Sequence, residues 1–262
     1  MVVHFKCKAI YAVIIAIGLL LITAVFWSVD SSFTESVITE ATLKTGAEMY
    51  ETDFNITRQL ILNDANSPQK TAYLTFDDGP SQNTLKILDA LKEYDAKATF
   101  FLLGETAEKN PEIVKRIFNE GHTIGNHSYT HIYNRVYGTR EEFLSEITEW
   151  ENAVGGIIGK ENLVKLFRFP GGSKEDWKVM YRNISAELGY KYVDWTALNG
   201  DADGRPFSKE RCMQEIKKYC ADSCDVIILM HDSAKKTVTA EMMPEILKFL
   251  YDQGYTFKRI EI

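Results

Sequence analysis

Apolar and polar positions divide the chain into three textures. Residues 9–27 form a run of 19 without a charge, which as a helix measures roughly 28 Å and matches the hydrocarbon core of a bilayer. Residues 28–70 are polar, rich in Ser, Thr, Glu and Asn, with modest amphipathic stretches over 43–50 and 56–62. They read as a stalk with one or two short helices. From residue 71 to 262 short apolar runs alternate with helical periodicity. The runs 72–76, 98–103, 122–125, 166–169, 190–195, 226–231 and 255–260 predict seven strands, mostly too apolar for a sheet with one wet face, so the sheet is buried and largely parallel.

Between the strands, Leu85, Leu88, Leu91 and Tyr94 fall on one helical face. Asn110-Pro111 opens a helix that Gly121 closes, and Thr139 with Glu142 forms a capping-box pattern ahead of Phe143, Ile147, Trp150 and Val154. Gly189 and Gly254 mark two further helix ends. This alternation implies an α/β architecture, either a barrel or an open doubly wound sheet.

Composition and charge narrow the setting. A net charge of -7 and a pI near 5.4 leave no basic excess for nucleic acid. Lys6 and Lys8 precede the apolar run and Asp30 and Glu35 follow it, which predicts residues 1–8 in the cytoplasm, a transmembrane anchor over 9–27 and everything beyond outside the cell. A cleaved leader, giving a secreted protein, is the alternative, but Ile22-Thr23-Ala24 matches a cleavage site poorly. Of the four cysteines, Cys212 and Cys220 share a helix face about 12 Å apart along the axis, out of bridging reach. Cys220 and Cys224 are the one local pair that can close, though a core role without redox chemistry is favoured.

In such folds reacting groups collect past the C-terminal ends of strands. Five segments there carry unusual polar residues: TFDDGP at 75–80, NHSYTH at 126–131, RFPGG at 168–172, DWTALNGD at 194–201 and LMHD at 229–232. Asp77 and Asp78, adjacent at the end of an apolar strand, repel unless a cation or proton relieves them; Asp-Gly-Pro also suits an ordinary turn. His127 and His131, four apart, reach one metal if the backbone makes a helical turn there. Two histidines and one carboxylate leave coordination positions open, the pattern of a catalytic metal site. His122 reads as a strand or loop residue, and the Asn126-His127-Ser128 sequon carries no weight.

In this order and spacing the five segments resemble the polysaccharide deacetylases built on the NodB homology domain, carbohydrate esterase family 4, over essentially all of 71–262. The resemblance implies a distorted (β/α) barrel with about seven mostly parallel strands. It implies Asp78, His127 and His131 as metal ligands, for Zn²⁺ first and Co²⁺, Ni²⁺ or Mn²⁺ otherwise. Asp77 becomes the base that takes a proton from the attacking water, and His231 the acid that protonates the departing amine. Arg168 orients Asp77, and Asp201, with Asp194 as alternative, pairs with His231. Trp195 and Leu229 wall the acetyl pocket, while Pro170 and Gly171 belong to the segment whose backbone N–H binds the oxyanion. Many relatives carry an aromatic after the proline where this chain has Gly171-Gly172.

The implied substrate is an N-acetylated cell-surface polysaccharide, peptidoglycan N-acetylglucosamine first, with acetate released. An O-acetyl ester deacetylase of the acetyl-xylan type is the second reading. A wall-binding pseudoenzyme would lack a base, ligand or acid, and none is missing. An iron oxygenase would need neither Asp77 nor His231.

Overall fold

The computed structural model describes residues 55–63, 70–221 and 223–262. Segment 1–8, the apolar run 9–27 and most of the stalk read over 28–70 lie outside the described residues. Among those described, no helix is long and apolar enough to cross a membrane.

In chain order the elements are α1 (Thr57–Asn63), β1 (Lys70–Asp77), α2 (Gln82–Glu93), β2 (Thr99–Leu102), α3 (Gly104–Lys109), α4 (Pro111–Asn119), β3 (Thr123–Asn126), α5 (Tyr133–Val136), α6 (Arg140–Ile158), β4 (Leu166–Phe167), α7 (Val179–Glu187), β5 (Lys191–Tyr192), β6 (Ala197–Leu198), α8 (Lys209–Cys220), β7 (Asp225–His231), α9 (Thr237–Asp252) and β8 (Tyr255–Phe257). Every pairing is parallel, in the order β5-β4-β3-β2-β1-β7-β6. Strand β8 joins the start of β1 at Lys70–Ala72, while β2 pairs with its end at Thr75–Asp77. The sheet curls into a half-barrel.

Burial on both faces explains why the strands read as continuous apolar runs. On β1, Tyr73 joins an inner cluster with Phe101, Leu166, Val193, Ile227 and Ile260. Its neighbours Leu74 and Phe76 join an outer cluster with Ile87, Ile117, Ile216 and Ile246, from helices α2, α4, α8 and α9. The predicted helix signals are realised: Thr139 accepts from the Glu142 N–H and Glu142 returns the bond, and Trp150 is fully buried with its indole N–H on the Leu102 carbonyl at 2.7 Å.

The structure corrects several expectations. The described residues form eight strands rather than seven, because Ala197–Leu198 makes a two-residue strand beside β7. The run 190–195 contributes only Lys191–Tyr192, since the Asp194 N–H turns aside to the Thr57 hydroxyl. The end of the segment read as stalk lies along β5: Ile56 is buried in the inner cluster and donates its N–H to the Tyr192 carbonyl. The cysteines keep the favoured reading: Cys212 and Cys220 are buried and Cys224 exposed, and all three are free.

Candidate active site

Parallel register brings the five segments to one rim. Asp77 closes β1 directly opposite His231 at the end of β7, and His127 follows β3 one strand beyond β2. The next residue, Asp78, leaves the strand with a φ of 72°, which aims its carboxylate back over the rim. His127 and His131 are not joined by a helical turn, contrary to the spacing argument. Ser128 (φ 74°) and His131 (φ 61°) are left-handed, and the loop is knitted by the Asn126 side chain on the Ser128 N–H and by the Ser128 hydroxyl on the His131 N–H. Such conformations cost energy and persist where the surroundings over-determine them.

The surroundings here are Glu146. Fully buried on α6, it accepts from the Tyr129 and Thr130 N–H groups at 2.9 and 2.8 Å and from the Thr130 hydroxyl, and it is paired with Arg135. Sequence reasoning passed over it, although its place between Phe143, Ile147 and Trp150 on an apolar helical stripe was a usable signal.

Asp78, His127 and His131 present one ligand atom each within 4.8 Å of one another. Both imidazole Nε2 atoms lie 3.6 Å from Asp78 Oδ1, which is buried and accepts no hydrogen bond from any described residue. His127 donates its Nδ1–H to the Arg168 carbonyl at 2.7 Å, which leaves the lone pair on Nε2 facing the cluster. Burial, countered by Asp78, holds His127 down at a pKa of about 3, so it is a neutral donor. An orphaned carboxylate oxygen and an oriented imidazole pair fit a divalent cation.

Two charge pairs flank this cluster. Arg168, fully buried, donates to Asp77 Oδ1 at 3.0 Å and to the Thr75 hydroxyl at 2.6 Å, and its remaining N–H groups reach the Val193 and Asp194 carbonyls. The other Asp77 oxygen is 3.8 Å from His127 Nε2. Burial raises the Asp77 pKa and Arg168 offsets only part of that, which strengthens the carboxylate as a base. On the other side His231 Nδ1 meets Asp201 Oδ1 at 2.7 Å, and the His231 N–H donates to the second Asp201 oxygen. Burial opposes charge on His231, but the Asp201 hydrogen bond and charge, with Asp77 and Asp78, raise its pKa to about 9. Asp201, not Asp194, is the partner; Asp194 instead binds the N–H and hydroxyl of Ser173 and so shapes the third segment.

In that third segment Pro170 is buried, Gly171 exposed with φ 73°, and the Gly171 N–H makes no hydrogen bond among the described residues. Lys178, buried without any sequence signal, holds the turn by donating to the Pro170 and Gly172 carbonyls. Trp195 is partly buried, within 6.0 Å of the Arg168 guanidinium, and a Cβ on Gly172 would stand 3.1 Å from its ring. Leu229 is buried yet outside the hydrophobic clusters, one alternation before His231 on the inner face of β7. Asp232, unassigned by sequence, is fully buried against Gly79, where a Cβ would meet its carboxylate at 2.2 Å; burial lifts its pKa to about 7.

Residues 64–193 match the family described as polysaccharide deacetylase. A peptidoglycan-N-acetylglucosamine deacetylase of Bacillus cereus is 35% identical over 257 residues, 97% of this chain and 92% of that protein. The chain belongs to the polysaccharide deacetylase family. Another member, the putative polysaccharide deacetylase YheN of Bacillus subtilis, is 35% identical over 200 residues, 75% of this chain and 69% of its own. Among solved structures, this deacetylase resembles a polysaccharide deacetylase of Bacillus cereus at 37% identity and TM-score 0.65, covering 74% of this chain and 93% of that one. The catalytic domain of a peptidoglycan N-acetylglucosamine deacetylase from Eubacterium rectale gives a TM-score of 0.67 at 29% identity, over 75% and 91% of the two chains.

Proposed function

We propose that this deacetylase hydrolyses the N-acetyl group of N-acetylglucosamine residues in peptidoglycan, releasing acetate, with Zn²⁺ held by Asp78, His127 and His131. The observation that carries the reading is the placement of that three-ligand cluster between a buried base, Asp77 on Arg168, and a half-buried acid, His231 on Asp201. A divalent cation there supplies Lewis-acid polarisation and makes water acidic near neutral pH. Asp77, fixed through one oxygen by Arg168, takes the proton of the attacking water on the other. The Gly171 N–H is free to meet the developing oxyanion. His231, kept charged by Asp201, donates from Nε2 to the amine nitrogen, a step that amides need and esters need far less. Trp195 and Leu229 wall the acetyl group. Two imidazoles with one carboxylate suit Zn²⁺ among common divalent ions.

Peptidoglycan is supported by the names of relatives from Bacillus cereus and Listeria monocytogenes. The charge-free run 9–27 with its upstream lysines supports a single-pass anchor that leaves the residues after it outside the membrane. The test is acetate release by the full chain in detergent from peptidoglycan, chitin oligomers and acetylated xylan. Release from the first two, abolished by chelator and restored by Zn²⁺, is the expected result. Release that ignores the chelator, or comes from xylan alone, overturns the reading.

A further inference from the structure

Gly171 has a positive φ, and the space where its Cβ would stand is taken: the Tyr133 hydroxyl lies 2.3 Å from that position. Tyr133 opens α5, two residues after His131, with its ring edge-to-face to that ligand's imidazole at 5.8 Å. It is 47% exposed, and its hydroxyl makes no hydrogen bond with any described residue. Tyr137 packs edge-to-face against it at 5.4 Å, and Trp177 against Tyr137 at 5.0 Å. The three rings therefore run outward from the metal cluster as one strip.

The middle ring is committed to structure, because the Tyr137 hydroxyl donates to the Pro170 carbonyl and the Lys178 ammonium lies 4.7 Å from its centre. The two ends make no side-chain hydrogen bond among the described residues, although Trp177 also lies 5.0 Å from the Lys178 ammonium and 6.3 Å from the Tyr181 ring. Trp177 is 55% exposed, beside exposed Val179 and Met180, and Ile132 is exposed next to Tyr133. A contiguous apolar patch that begins at a reaction centre marks a binding surface more than scattered exposure does. Its chemistry is also specific: flat rings with polar tips match a pyranose, whose C–H face is apolar and whose rim carries hydroxyls.

We propose that Tyr133 and Trp177 form a sugar-stacking strip that holds the glycan beside the residue being deacetylated, Tyr133 nearest the metal and Trp177 one sugar or more farther out. The proposal rests on the deacetylase reading and names how that site grips a polymer. Tyr133 is then a positioning residue, and Gly171 is glycine partly to admit it.

The test uses the full chain and a ladder of N-acetylglucosamine oligomers of increasing length. Trp177→Ala is expected to raise KM about tenfold for long oligomers, the loss of one aromatic anchor, and to leave the shortest unchanged. Tyr133→Ala raises KM at every length and Tyr133→Phe less so, with kcat within about threefold and unfolding midpoints preserved. Calorimetric binding of the same ladder separates this proposal from the reaction. Length-dependent binding that weakens in Trp177→Ala supports the strip even where no acetate appears, which instead removes the deacetylase reading. Binding and KM unchanged in Trp177→Ala at every length overturn the strip, and so does a Tyr133→Ala protein that loses kcat and keeps KM.

Discussion

Strand β3 is bracketed by two buried histidines that share a strand and a low exposure but not a chemistry. At its start, His122 accepts the Ala98 N–H on Nδ1 at 3.1 Å, so its proton sits on Nε2, which points toward Glu120 at 3.9 Å. At its end, His127 donates from Nδ1 to the Arg168 carbonyl, so Nε2 carries the lone pair and faces Asp78 and Asp77. Burial lowers both pKa values, to about 4 and about 3. Neither burial nor a depressed pKa separates a ligand from a core histidine. The backbone atom that meets Nδ1 does, by fixing the tautomer. The two rims differ accordingly: of the four described non-glycine residues with left-handed backbone, three, Asp78, Ser128 and His131, lie on the His127 side.

The sharpest way to break this contrast is His127→Ala. Loss of a ligand should lower acetate release by about three orders of magnitude or more, the several kcal/mol that Lewis-acid stabilisation supplies. Metal content by mass spectrometry should drop with it. A His127→Ala protein that keeps one tightly held metal ion per chain would remove the ligand assignment.

Asp201→Asn probes the acid side and should have a smaller effect. In the proposed mechanism His231 acts only while protonated, so activity is expected to fall as pH rises through its pKa of about 9. Without the Asp201 charge, burial is less opposed, the His231 pKa drops, and the alkaline limb of kcat moves to lower pH by on the order of a unit or more. Loss at neutral pH of about ten- to a hundredfold should accompany it. A bound cation offsets the Asp77 and Asp78 contributions in both proteins, so the difference between their profiles isolates Asp201. An unmoved limb would mean that another group is the acid.

Of these two residues His127 was visible in the sequence as a polar group just past an apolar strand, whereas Asp201, in the turn after β6, entered only through the resemblance of its segment, with Asp194 as the alternative. The supporting residues were less legible, for distinct reasons. Glu146 is concealed inside a helical stripe, and a reader who weighs only its apolar neighbours sees a core helix. Lys178 sits in a short polar stretch that resembles any exposed turn, and only the fold turns it toward the Pro170 and Gly172 carbonyls. The four-residue spacing of His127 and His131 fits a helical turn by number, but the Glu146 bonds hold the intervening N–H groups outward instead. Two residues of β6 are too few for any alternation to register. The curl of the sheet follows from pairings between distant runs, whose parallel character was legible although their order was not.

The mildest variant is His122→Gln, at the other end of β3. It should leave acetate release within about twofold, because it touches nothing at the opposite rim, and should cost about 1–2 kcal/mol at neutral pH for a poorer partner to the Ala98 N–H. Its signature lies in acid. Burial, helped by Lys97, keeps His122 neutral in the fold down to a pKa of about 4, against an ordinary 6.5. Below 6.5 the unfolded chain binds a proton that the fold refuses, so stability is lost as pH falls from 6.5 toward 4, reaching about 3 kcal/mol for this side chain. The substituted amide cannot titrate, so urea midpoints between neutral pH and about pH 4.5 should fall less steeply in the variant than in the wild type. A cation on His127 binds the fold with its ligands deprotonated, whereas the unfolded chain still takes up protons below 6.5, so Zn²⁺ should raise wild-type stability at neutral pH and steepen its loss in acid. The same steepening is expected in His122→Gln, whereas added metal should change little in His127→Ala. If Zn²⁺ left the slope untouched in wild type and His122→Gln alike, the two histidines would not differ in the way their tautomers require.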